Sequence, residues 1–199
     1  MLSQLNFSIL RRLKIQKILF EEFFCGWMII KKRLLEKSQN LSPRVAIWYS
    51  QMEEQRNRLF RMVEELDDEM LDFVLDERKI ETIGTLLLHI AAVEWSWIFE
   101  DIDGRTMDFQ HWKHAFALRP TVDLPQLKGK NKEFYLDRLA KVREEVYQRL
   151  VKLIDQDLDK IVGSDQDQFS IEWILFHILE HEAMHVGQIN LLSRLAKLR

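Results

Sequence analysis

The chain has 199 residues, 47% hydrophobic and 31% charged, with only 6 Gly and 3 Pro. That composition describes one globular domain with a sizeable core; so few turn formers exclude a collagen-like or disordered chain and argue against an all-β fold. A single Cys excludes an internal disulfide framework and a multi-Cys zinc site, and a net charge of −3 lacks the basic excess that phosphate binding needs, so no nucleic acid is expected as partner.

The charge is uneven along the chain. Residues 1–40 hold eight basic and three acidic residues, net +5, which leaves 21 basic and 29 acidic residues, net −8, for 41–199. Leu2, Leu5, Ile9 and Leu13 recur at helical spacing between Arg and Lys, so 1–40 reads as a basic amphipathic extension. Its longest uncharged apolar run, 23–30, is far short of the roughly 20 residues that span a bilayer. No transmembrane segment and no secretory signal is therefore expected, and the location expected is cytoplasmic. Cys25 reads as a small apolar side chain rather than a nucleophile.

From residue 41 onward four helices are predicted. Ser42 and Pro43 form a helix start, N-cap followed by first-turn proline, and the helix behind them reaches about Leu66. Trp48, Met52, Leu59 and either Met62 or Val63 make up its apolar side. The second opens near Thr82 and stops at Gly104. A third covers about 132–154, with Leu136, Leu139, Val142, Val146, Leu150 and Leu153 in one stripe. The fourth starts at Ser170, stapled by Phe169 against Ile174, and runs almost to the C-terminus. No strand is predicted. Four amphipathic helices with one interior stripe each specify an all-α four-helix bundle. The connection 103–130, with Pro120 and Pro125, is long enough to let the second and third helices run parallel.

The last helix carries the chemistry. At 100° per residue, His177 and His185 lie about 40° on either side of His181, in the sector of Ile174, Gln188 and Leu192. A buried imidazole left unpaired costs roughly 1–3 kcal/mol, and three on one face are hard to satisfy with neutral hydrogen bonds. A divalent ion resolves the conflict, because imidazoles at i and i+4 can address one ion. His89 adds a matching group on the second helix, in a stripe with Thr82, Leu86, Val93 and Ser96. His89 with two histidines of the last helix would complete a three-histidine set with coordination positions left for water or substrate.

Other groups read as structural. His111 and His114, spaced as H-x2-H in the crossover, look like solvated loop residues. Asp155, Asp157 and Asp159 imitate the start of a calcium loop, but Lys160 and Gln166 stand where that loop needs Gly and Glu. Trp95, Trp97 and Trp173 read as core or pocket wall. No phosphate loop and no paired catalytic carboxylates stand out.

The segments TIGTLLLHIAAVEWSWI and IEWILFHILEHEAMHVGQINLL resemble the two signature helices of the DinB/YfiT-like metalloprotein superfamily. The resemblance covers about 42–198. It implies an up-down-down-up bundle and one divalent metal ion on His89, His181 and His185, zinc or nickel foremost, with iron or manganese as alternatives. His177 falls outside the ligand set as a residue behind the ligands or lining the pocket, and Val186 stands where relatives carry Arg. The activity implied is a thiol S-transferase or a hydrolase acting on a small molecule, with a low-molecular-weight thiol as one candidate, in a homodimer. Three neutral imidazoles leave an ion its full charge, which lowers the pKa of a water or thiol that it binds. A non-enzymatic, stress-related bundle with a structural or sensing metal is the alternative. No residue of the sequence selects between transferase and hydrolase.

Overall fold

In the computed structural model, which describes residues 34–74, 81–117 and 126–198, each of the four apolar stripes belongs to a long helix. In chain order the elements are α1 (Pro43–Glu64), α2 (Asp68–Leu71), α3 (Ile83–Trp95, continued by a π-helical turn Ser96–Ile102) and α4 (Phe109–Trp112, continued by a 3-10 turn Lys113–Phe116). There follow α5 (Lys132–Leu150), a 3-10 turn Asp155–Asp159, β1 (Ile161–Gly163), β2 (Gln168–Ser170) and α6 (Ile171–Ala196). Leu35–Arg199 forms one compact unit. The expected N-terminal helix with Cys25, like Pro120 and Pro125, lies outside the described residues.

The long helices pack pairwise in a ring, α1 on α6, α6 on α3, α3 on α5 and α5 on α1. Their shared core contains Met52, Leu59, Leu86, Ile90, Leu139, Val146, Ile174 and Ile178, each at most 2% exposed. The 20 residues of Ile83–Ile102 are long and apolar enough to cross a membrane, but 72% of their most apolar 18-residue window is buried inside the bundle, so packing accounts for its apolarity.

The ends of the helices show local chemistry at work. Thr82 Oγ1 accepts from Thr85 N at 3.0 Å and caps α3. At its far end Gly104 takes φ +67°, a left-handed conformation that glycine tolerates without strain, and its N–H reaches Glu100 O at 2.9 Å. Ser42 precedes α1 as expected but makes no side-chain bond to it; instead Asp155 Oδ1 accepts from Arg44 N at 2.9 Å. Asp159 accepts from Arg44 NH2 at 3.0 Å. Asp157 takes the N–H of Ile154 at 2.9 Å. That competing bond stops α5 at Leu150, short of the expected residue 154, and opens the 3-10 turn. All three aspartates that mimic a calcium loop are thus engaged in protein contacts.

Two short strands appear where none is predicted. Ile161, Val162 and Gly163 pair antiparallel with Ser170, Phe169 and Gln168. Three-residue strands are too brief for an alternating pattern to register. This hairpin delivers the chain to Ser170, whose Oγ accepts from Trp173 N at 3.1 Å and starts α6. Phe169 stacks on Trp173, with centroids 4.6 Å apart, and packs against the core that includes Ile174.

Candidate metal centre

The site lies where α3 meets α6. His89 comes from the middle of α3, and His181 and His185 from successive turns of α6. One ligand nitrogen from each of the three lies within 4.8 Å of the others. The contacts are specific: His181 Nε2 is 3.2 Å from His89 Nε2 and 3.0 Å from His185 Nε2. His185 is buried, at 6% exposure, and the other two are partly buried.

The outer nitrogens decide which atoms face inward. His89 Nδ1 is 3.0 Å from Ala115 O, a carbonyl that can only accept, so Nδ1 carries the proton and Nε2 presents a lone pair. His185 Nδ1 donates to Gln188 Oε1 at 2.6 Å, which leaves Nε2 of that ring unprotonated as well. His181 Nε2 sits between two lone pairs and, when neutral, has at most one proton to offer. One of the two close N···N contacts therefore lacks a hydrogen in the neutral state. Three nitrogens converging with fewer protons than contacts fit a cation.

The electrostatics agree. Burial first, and then the neighbouring imidazoles of His185, His89 and His177, push the His181 pKa down to about 3. His185 is also lowered by burial, against an opposing pull from its bond to Gln188. Metal-ligating imidazole must be neutral, and these rings are held so.

The interior line of α6 is shifted from the one expected. Ile174, Ile178, Glu182, His185, Ile189 and Leu192 are buried, whereas His177 and His181 flank them and Gln188 is exposed. His177 stands apart from the close trio: its ring stacks on Trp173 (4.9 Å, 6°), packs edgewise on Trp97 (5.1 Å) and is 6.1 Å from the His181 centroid. His111 is exposed in α4, where its Nε2 meets Arg138 NH1 at 2.6 Å, and His114 sits in the following turn. Neither joins the cluster. Val186 packs against the core.

Glu182 moves to the centre of that line because of a group not anticipated from the sequence. Arg56 (α1), Glu94 (α3), Arg143 (α5) and Glu182 (α6) meet in the core at 1–5% exposure, one from each long helix. Arg56 donates to Glu182 Oε1 at 2.8 Å, to Glu94 Oε2 at 2.6 Å and to Leu139 O at 2.8 Å. Arg143 donates to both carboxylates, reaching Glu182 Oε2 at 3.0 Å, and to Glu53 at 3.0 Å. Burial alone would raise the Glu94 carboxyl, but Arg143 and Arg56 outweigh it and hold it below the ordinary range. Two charges of each sign are balanced there, and the quartet fixes the rotation of α6 that sends His181 and His185 toward α3. Each of the four occupies a stripe position of its helix (Arg56 lies between Met52 and Leu59, for instance), which is the signal that a sequence reading can use.

Comparison with known proteins adds the family. A model of the DinB superfamily matches residues 51–189. The uncharacterized protein YkkA of Bacillus subtilis is 24% identical over 159 residues, which cover 78% of this chain and 89% of that protein. Among solved structures, a conserved protein from Enterococcus faecalis superposes with a TM-score of 0.60 at 16% identity, over 77% of this chain and 96% of the other. A DinB-like protein from Bacillus cereus gives 0.47 at 18% identity, over 76% and 89%. With a superfamily model that spans well over half its length, the chain belongs to the DinB superfamily.

Proposed function

We propose that this protein is a metal-dependent enzyme in which His89, His181 and His185 hold one divalent ion beside a site for a small-molecule substrate. The observation that carries the reading is the proton deficit: three imidazole nitrogens converge within 4.8 Å while the outer nitrogens of His89 and His185 are bound to oxygens. Imidazole donors suit zinc, nickel, iron and copper, of which zinc or nickel is the ion proposed. Bound there, the ion would supply Lewis acidity, which makes a water or a low-molecular-weight thiol a nucleophile at neutral pH.

The chain's own residues perform the orienting work. Ala115 O and the Gln188 amide hold two rings in the tautomer that aims Nε2 inward. His177, braced by Trp173 and Trp97, forms an aromatic wall on the side of His181. Among the described residues no carboxylate joins the close trio, so an ion held by these three imidazoles alone would keep its whole charge for the substrate. Thiol S-transfer or hydrolysis is the chemistry that such a site performs. A cytoplasmic homodimer completes the reading, supported by the lone Cys, which suits a reducing compartment, and by the superfamily resemblance.

The test is elemental analysis of the full chain after refilling with zinc or nickel. About one ion per chain is expected, lost in His181→Ala and His185→Ala and kept in His111→Ala. Equal retention by all three variants, or no uptake by the wild type, would refute the site. Thiol-transfer and hydrolase screens on the loaded protein then address the reaction; turnover that survives unchanged in His181→Ala would refute a metal-dependent one.

A further inference from the structure

A cavity of about 580 Å3 opens between the C-terminal turns of α3, the α4 segment and α5, and none of the three clustered histidines lines it. Its size lies within the range of small-molecule sites. Trp95 and Trp112 line it with the small exposed parts of otherwise buried rings, 9% and 7% exposed, which the core behind holds in place.

Two lining arginines are set on aromatic faces. The Arg105 guanidinium lies 5.0 Å from the Trp95 ring centroid and 4.7 Å from that of Phe99. Arg138 lies 4.8 Å from Phe134 and 6.0 Å from Trp112, and donates one hydrogen bond to His111 Nε2 at 2.6 Å. Among the described residues neither guanidinium pairs with a carboxylate. A guanidinium held over an aromatic face keeps its N–H groups for an acceptor at its edge, beside the ring that supports it. Carboxylates also line the cavity: Asp108 is engaged with the N–H groups of Gln110 and His111, while Asp137 and Glu145 remain and would repel a ligand of high negative charge. The lining thus matches one anionic group attached to a planar apolar body.

We propose that this cavity is a second ligand site, separate from the metal centre, for a planar aromatic monocarboxylate. The ring of the ligand lies against the exposed parts of Trp95 and Trp112, beside the guanidinia that cover them, and its carboxylate accepts from Arg105 and Arg138. The α4 segment is shared with the histidine cluster, since Trp112 faces the cavity while the Ala115 carbonyl orients His89.

The experiment uses the full metal-loaded chain and 2-naphthoate as probe, with 2-naphthamide as the uncharged analogue of the same shape, followed by calorimetry. Saturable binding of the acid is expected, at least about tenfold weaker for the amide and for Arg105→Gln and Arg138→Gln, because a charge-assisted bond is lost in each. Arg105 is exposed and Arg138 half-buried, neither belongs to the core, and circular dichroism and metal content of the variants are expected to match the wild type. His181→Ala is expected to bind 2-naphthoate like the wild type. Equal binding of acid and amide, full binding by both arginine variants, or no saturable binding overturns the proposal. Loss of binding in His181→Ala overturns it too, by placing the carboxylate at the metal centre.

Discussion

Replacing Arg143 with Met tests whether the buried quartet holds the bundle together through its charge balance. The substitution keeps most of the side-chain volume and removes the guanidinium, leaving Glu94 and Glu182, each 1% exposed, to share Arg56 alone. Arg143 contributes bonds to Glu94, to Glu182 and to Glu53. An attraction between charges near 4 Å is about 4 kcal/mol at an effective dielectric of 20, and Arg143 has two such buried partners. Against that loss stands the desolvation cost of Arg143 itself, which disappears with it. The net for breaking a buried pair is about 3–5 kcal/mol, a large share of the roughly 5–15 kcal/mol that stabilises a domain.

Urea denaturation at pH 7 reads the effect directly. With a slope of about 2 kcal/mol per molar, the midpoint is expected to fall by about 1.5–2.5 M. The pH dependence carries a second signature. In the wild type, Glu94 is held below its ordinary pKa, so its contribution is full above about 4.5 and is lost as pH falls through the folded value. Without Arg143 one of the two carboxylates takes up a proton at higher pH, and the stability gap to the wild type narrows below about pH 5. Adding Glu182→Gln to the variant restores one charge of each sign and is expected to recover much of the loss. A change of less than about 1 kcal/mol in the single variant, or strictly additive behaviour in the double, would refute the charge-balance argument.

Two further outcomes are expected. The His181 pKa is depressed to about 3 from an ordinary 6.5, so the stability it contributes is full above 6.5 and drains as pH falls toward 3; in chelator-stripped protein this adds up to about 1.4 kcal/mol per pH unit below pH 6, and His181→Gln should flatten the denaturation-midpoint profile between pH 6.5 and 4.5. An unchanged slope would show that His181 is not buried neutral. The glycines at 84 and 187 should respond oppositely to alanine. A methyl at Gly84 would lie 2.6 Å from Cζ of the fully buried Tyr135, an overpacking cost of about 1–3 kcal/mol, whereas one at Gly187 meets nothing within 4 Å and should gain about 0.5–1 kcal/mol of helix stability. Thermal melts of both variants measure the pair, and a destabilised Gly187→Ala would mean that the position needs its missing side chain.

How far these residues announce their roles depends on whether the relevant interaction runs along one helix or between helices. Helix starts at Thr82, Asn131 and Ser170 are set by side chains three residues from the N–H they cap, and His181 and His185 by a four-residue spacing, so a pattern within one segment suffices to find them. The Ala115 carbonyl that fixes the tautomer of His89 lies 26 residues away in the crossover, and a backbone acceptor leaves no mark on residue identity. Asp155 capping α1 and Asp157 ending α5 are hidden for the same reason, since their aspartate pattern has several readings until the helix that receives it is known. The quartet is a different case. Arg56, Glu94, Arg143 and Glu182 each break the apolar stripe of their own helix, and taken singly each suggests that the stripe has been drawn on the wrong face. Taken together they are two charges of each sign at core positions of four helices, an arrangement that burial tolerates only if they meet. Once they meet, the rotation of α6 follows, and with it the placement of Glu182 rather than His181 on the core axis. His181 is thereby left at the margin of the core beside the buried His185, with its Nε2 turned toward His89.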